Sequence, residues 1–149
     1  MKKSAIVLGV MALVLFLFLL SVPVVNDRVA DQTAERVKKI TLPTDTQYVE
    51  SFARAGKLVG NGNGMQYLGG ILIRSDLSLE ELQAYYAQYA QNEEECVVER
   101  QTDNDIGFVE HGTVSLNTGI EGDHYFIVYT WGSNDTILGA FDLFDLRGH

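Results

Sequence analysis

The chain has 149 residues, enough for one domain of ordinary small size beside any segment given to a membrane. Its formal net charge is −9, and its one cysteine, Cys96, excludes an intrachain disulfide. All 20 acidic residues and nine of the 11 basic ones lie beyond Val25, so that part carries −11 and lacks the basic stripe that nucleic acid requires.

The first element is apolar. Ser4 to Val25 runs 22 residues without a charge, after Lys2-Lys3 and before Asn26-Asp27-Arg28. At about 1.5 Å per residue a helix of that length reaches roughly 33 Å, which spans a bilayer core of about 30 Å. A cleaved secretory signal has an apolar region of only about 7–15 residues and a small-x-small cleavage site, and "SVPVVND" supplies no such site. Residues 4–25 therefore read as a retained transmembrane helix, with 1–3 as a cytoplasmic N-terminus. Lys2 and Lys3 stand against Arg28, Arg36, Lys38 and Lys39, a near tie. A short basic flank before a first apolar segment behaves like an export signal, which puts the N-terminus inside and the rest of the chain outside.

Over 26–40, Val29, Thr33, Val37 and Ile40 recur at helical spacing among charged residues, and Pro43 ends the pattern. This juxtamembrane helix is expected to be a stalk, holding a domain over 41–149 roughly 20 Å from the bilayer.

"TDTQYVESFARAGKLV" fits a helix capped near Asp45 or a bent strand, and the strand is preferred because "MQYLGGILIRS" downstream is rich in strand-forming residues. Gly69-Gly70 in its middle suggests a bulge. Between them, Gly60-Asn61-Gly62-Asn63-Gly64 raises the question of a phosphate-binding loop. Neither G-x-x-x-x-G-K-[ST] nor G-x-G-x-x-G is present, and a strand rather than a helix follows, so no helix N-terminus is offered to an anion. Two Asn-Gly pairs instead signal a hairpin connection.

In "SDLSLEELQAYYAQYAQNEEE", Ser78 and Glu81 form a capping box, and Leu79, Leu82, Tyr86 and Tyr89 or Ala90 share one face. Tyr85, Tyr86 and Tyr89 read as core rather than as a binding stripe, and Glu93-Glu94-Glu95 as a solvated exit. "CVVERQT" and "FVEHGTVSL" read as short strands, and "HYFIVYTW" as a central strand buried on both faces. "TILGAFDLFDLRGH" reads as a final strand, although Ile137, Leu138, Phe141 and Phe144 also fit a helix. The fold class is α+β, a mainly antiparallel sheet of five or six strands with one helix on a face.

Chemistry-bearing residues are sparse. A Cys-His site would pair Cys96 with His111, His124 or His149, but Cys96 opens an apolar strand and reads as an inert thiol. Glu110, His111, Asp123, His124, Asp142, Asp145 and His149 could supply metal ligands, but their spacing matches no EF-hand or zinc pattern. In the tail, Arg147 is expected to pair with a neighbouring carboxylate and pin the last segment. No catalytic, cofactor-binding or metal site is assigned, and no cofactor is expected.

"GKLVGNGNGMQYLGGILI", "SDLSLEELQAYY", "YFIVYTWGS" and "FDLRGH" together resemble a group of small single-pass membrane-anchored proteins of Gram-positive bacteria. The resemblance covers most of the chain after Leu42. It implies an anchor plus a small domain, with no assigned activity and no functional residue to carry over. The expected function is a membrane-anchored extracytoplasmic binding or interaction module meeting a protein partner at the cell surface. The alternative is a surface enzyme with a carboxylate or Cys-His site.

Overall fold

A computed structural model describes residues 2–89 and 95–149. Helix α1 (Lys2–Lys38) leads into strands β1 (Thr46–Gly56) and β2 (Gln66–Ser75), helix α2 (Leu79–Ala87), and strands β3 (Val97–Arg100) and β4 (Tyr125–Gly132). A 3-10 helix (Ile137–Phe144) and a short 3-10 turn (Leu146–Gly148) close the chain. The class is α+β, and the four described strands are antiparallel in the order β1-β2-β4-β3.

The two central strands explain the apolar runs in the sequence. Alternate residues of β2 and β4 face opposite layers, and both layers are covered. Ile71, Ile73, Phe126 and Val128 meet Val37 of α1 and Leu82 and Tyr86 of α2 on one face. Leu68, Leu72, Ile127 and Tyr129 meet Ile106, Val114 and Leu116 on the other. These last three come from the long connection between β3 and β4, where "FVEHGTVSL" was expected as a strand. That segment is a plug, not a strand. Its pairing is an isolated bridge at Asp105–Ser115, with bonds from Ile106 N to Val114 O and from Leu116 N to Asn104 O, and Gly112 turns the backbone at φ +80°. Glu50 on β1 ties the plug down by accepting bonds from the amides of Asn117 and Thr118 at 3.1 and 2.8 Å. Burial pushes the Glu50 carboxyl up, and those amides more than reverse the effect, leaving it below its ordinary value. The final segment is likewise helical rather than a strand. Thr136 begins the 3-10 helix by accepting a bond from Leu138 N at 3.2 Å. With both segments outside the sheet, the strand count among the described residues is four rather than five or six.

The capping box of α2 forms as expected, with Ser78 and Glu81 bonding each other's backbone amides. Tyr86 is fully buried and Tyr85 and Tyr89 partly so. Glu95 is exposed, and Ala90, Glu93 and Glu94 lie outside the described residues.

The stalk expectation is overturned. Residues 26–38 are not a spacer but the part of α1 that packs on the sheet: Asn26, Val29, Ala30, Thr33, Ala34 and Val37 are buried against it. The apolar end of the same helix has no such cover, and residues 4–17 are all exposed. By length and composition this helix can cross a membrane.

Gly69 and Gly70 are also corrected. Both keep regular register, and the irregularity in the β1–β2 pair falls between Tyr48 and Glu50. Their role is close approach. A Cβ on Gly69 would lie 2.2 Å from the Ala34 backbone nitrogen and 2.6 Å from the Thr33 carbonyl carbon, so only glycine lets α1 sit this near the sheet. Gly69→Ala is expected to destabilise the fold by about 1–3 kcal/mol. Gly107→Ala, where nothing lies within 4 Å of the added carbon, is expected to leave the unfolding midpoint unchanged. Denaturant unfolding of the full chain in detergent, followed by tyrosine and tryptophan fluorescence, measures both.

Candidate functional site

A cluster of bonded polar side chains forms where α1 emerges from its apolar stretch and meets the Tyr67 end of β2. Asn26 on α1 is fully buried there. Its Nδ2 donates to Asp145 Oδ2 at 3.0 Å, and its Oδ1 accepts from Asn134 Nδ2 at 3.1 Å. The Tyr67 hydroxyl, from the start of β2, stands 2.5 Å from Asp142 Oδ2 and 3.0 Å from Asn26 Oδ1. It has one proton, and the shorter separation assigns it to Asp142. Burial first, then Asp142, raise the Tyr67 hydroxyl above its ordinary value, so it stays a donor throughout the physiological range.

Arg147 completes the cluster. Its guanidinium donates to Asp145 at 2.8 and 3.0 Å, to Asp27 at 2.6 Å and to the Pro23 carbonyl at 3.1 Å. The expected pairing of Arg147 with a carboxylate is present, and it pins the closing 3-10 turn to α1 rather than pinning a strand. The Arg147 guanidinium bonds hold the Asp145 carboxyl down at about 2, against burial, with Asn26 helping. A carboxylate only 2% exposed can remain charged here because its oxygens are bonded by Arg147 and Asn26.

Beside this cluster lies a groove of about 250 Å³ lined by Arg54, Lys57, His111, Arg147 and His149, among others. Arg54 and Lys57 bring positive charge to it, while that of Arg147 is met by Asp27 and Asp145. The glycine-rich loop borders it. Gly60 N donates to Glu110 at 2.7 Å, the Gly60 carbonyl meets His111 Nε2 at 2.8 Å, and Gly64 N donates to the Gly148 carbonyl at 2.7 Å. The loop is therefore a hairpin connection whose amides at Gly60 and Gly64 are engaged within the protein.

The other singled-out residues are dispersed. His124 lies at the opposite end of the central strands, near the Ser75 carbonyl and the carboxylates of Asp76 and Asp123. His149 Nε2 meets the Leu143 carbonyl at 3.0 Å. Cys96 is half-buried in a cavity of about 240 Å³ with Arg36, Val37, Tyr89 and Thr130, and no histidine is among its described lining residues. Among the described residues, no three histidine, cysteine or acidic side chains come together as a metal site.

Sequence reasoning missed Asn26, Tyr67 and Asn134. A signal existed for Asn26. It continues the stripe of Thr33 and Val29 toward Val22, but a boundary drawn at Val25 cut that stripe in two. Asn134 lies in the short connection between the last two runs read as strands. No family model matches the chain, nor does any curated protein or solved structure.

Because Asp145 has a lowered value in the folded chain, it adds stability above its ordinary value of 3.8, and that stability is lost as pH falls from about 4 to about 2. Asp145→Asn is therefore expected to cost about 2 kcal/mol at neutral pH. The difference in unfolding free energy between the parent and this variant should shrink across the same window. Acid titration of both proteins by circular dichroism measures it.

Proposed function

We propose that the chain is a single-pass membrane protein with its N-terminus inside, whose acidic α+β domain acts outside the cytoplasm as a binding or interaction module. It would belong with the small anchored proteins of Gram-positive bacteria that its sequence resembles. The observation that carries the reading is the division of α1. The helix is apolar and exposed over residues 4–17, yet it forms one layer of the domain core from Val22 to Val37. A soluble protein would leave fourteen consecutive exposed helical residues, nearly all of them apolar, in water. A bilayer removes that cost.

Two further points favour binding over turnover. Cys96 and the histidines stand apart among the described residues, the half-buried Asp142 accepts from Tyr67, and the buried Asp145 is bonded by Asn26 and Arg147. These contacts serve to fix the chain rather than to expose a nucleophile and a base.

Two measurements test the proposal. The full chain should remain in the membrane pellet after alkaline carbonate washing, and protease added outside intact protoplasts should remove the domain. A soluble or fully protected chain would overturn the topology. Crosslinking in native membranes, then affinity purification, should recover an abundant protein partner. If the chain comes out alone and instead turns over a substrate in a way that a point substitution abolishes, the interaction reading fails.

A further inference from the structure

The uncovered part of α1 is too short for the membrane it is read as crossing. Residues 4–17 are exposed on all sides, and fourteen residues rise about 21 Å, some 9 Å less than a bilayer core of about 30 Å. The apolar run continues to Val25, but from Phe18 onward part of the helix is covered by the domain. Leu20 and Val24 are still 53% and 67% exposed at this level, while Val22 between them is fully buried. The helix here has one open apolar side and one covered side.

The cover is the 3-10 helix Ile137–Phe144. Phe141 packs edge-on against Phe18 with ring centroids 5.0 Å apart, and Phe144 stacks on Phe141. The outer surface of this segment is apolar: Ile137 and Leu146 are 84% exposed, Leu143 60% and Phe144 48%. Among the described residues, the other exposed large apolar side chains, apart from Tyr48, all lie on α1 between Ile6 and Val24.

The backbone of the segment suits lipid contact as well. Polar groups facing hydrocarbon must be bonded within the protein. The 3-10 pattern supplies bonds from Gly139 N to Thr136 O and from Asp145 N to Asp142 O, Thr136 caps Leu138 N, and His149 meets the Leu143 carbonyl. Asn134 and Asp142 turn their side chains inward to Asn26 and Tyr67.

We infer that the segment from Ile137 to Leu146 is an interfacial membrane foot, which inserts Ile137, Leu143, Phe144 and Leu146 into the headgroup–acyl boundary of the bilayer that α1 crosses. Its insertion makes up the missing 9 Å, within the depth of about 5–10 Å at which interfacial helices lie. The inference rests on the reading of α1 as a span, and the experiment separates the two.

The full chain carrying Cys96→Ser receives one new cysteine at a time, through Leu143→Cys, Leu146→Cys, Leu13→Cys or Glu121→Cys. Each is labelled with an environment-sensitive fluorophore in vesicles of phosphatidylcholine and phosphatidylglycerol. Lipids with a shallow doxyl group should quench the probes at 143 and 146, and aqueous iodide should quench them severalfold less than the probe at 121. The probe at 13 should respond to a deep doxyl group. If 13 is quenched by lipid while 143 and 146 match 121 in iodide, the foot is wrong and the span stands. If 143 and 146 are shielded from iodide without lipid quenching, protein covers them and the foot is again wrong. If no probe senses lipid, span and foot both fail.

Discussion

The backbone of α1 passes over β2 at Thr33 and Ala34, where one added carbon on Gly69 would fall 2.2 Å from a backbone nitrogen. Gly132, paired with Tyr67 on the neighbouring strand, repeats the arrangement, since a Cβ there would lie 2.2 Å from Thr33 Oγ1. Two strands thus give up a side chain at the same level of the helix. This lets small residues on α1, Ala30, Thr33 and Ala34, be fully buried at short range. Thr33 can be buried because its hydroxyl donates back to the Val29 carbonyl at 2.9 Å and accepts from Arg36 at 3.1 Å. The rest of the fold follows from that contact. It fixes the helix along β2, so Val37 reaches the cluster around Tyr86, and Asn26 arrives opposite Tyr67.

The polar junction is the second consequence. A fully buried asparagine just after an apolar run is costly unless each of its polar atoms is bonded. Here the partners are Asn134 in the turn after β4 and Asp145 at the start of the closing 3-10 turn, segments distant in sequence. Arg147 adds a bond to the Pro23 carbonyl on α1. Pro23 lacks an amide and so cannot bond the carbonyl one turn earlier, which leaves this turn of α1 with a weaker ladder than its neighbours. The guanidinium braces the helix at that place while anchoring the end of the chain.

How far the fold was legible depended on whether a signal was local. The capping box of α2, the hairpin around Gly60–Gly64 and the doubly buried strand Tyr125–Gly132 each depend on neighbouring residues and were readable. Gly69-Gly70 was misread because a bulge and a close approach leave the same mark, and only the position of α1 distinguishes them. "FVEHGTVSL" alternates like a strand, yet Glu50 from β1 captures its continuation at Asn117 and Thr118 and folds it over the sheet. The stripe of Val29, Thr33 and Val37 was seen, but its burial partner was not. A narrow stripe looks the same on a solvated spacer as on a helix packed against small residues. The candidate site was visible only in part, since Arg147 with a carboxylate can be guessed from a two-residue spacing, whereas Asn26 and Tyr67 are 41 residues apart.

These facts bear on how such a chain could act in the proposed setting. A flexible stalk would let a domain sample many orientations over the membrane, and a partner would bear the entropy of fixing one. Here no hinge separates the two parts, because α1 is one helix from Lys2 to Lys38 and its second half is a core layer. Any tilt of the anchor is a tilt of the sheet. The β1–β2 connection and the 3-10 helix then lie on the membrane side, while the turn after β2 and the capped start of α2 point away from it. The acidic charge helps keep the rest of the domain in water as apolar side chains meet lipid. A partner would therefore meet a surface whose height and direction are already set, and its affinity would depend on side chains rather than on the cost of orienting the domain.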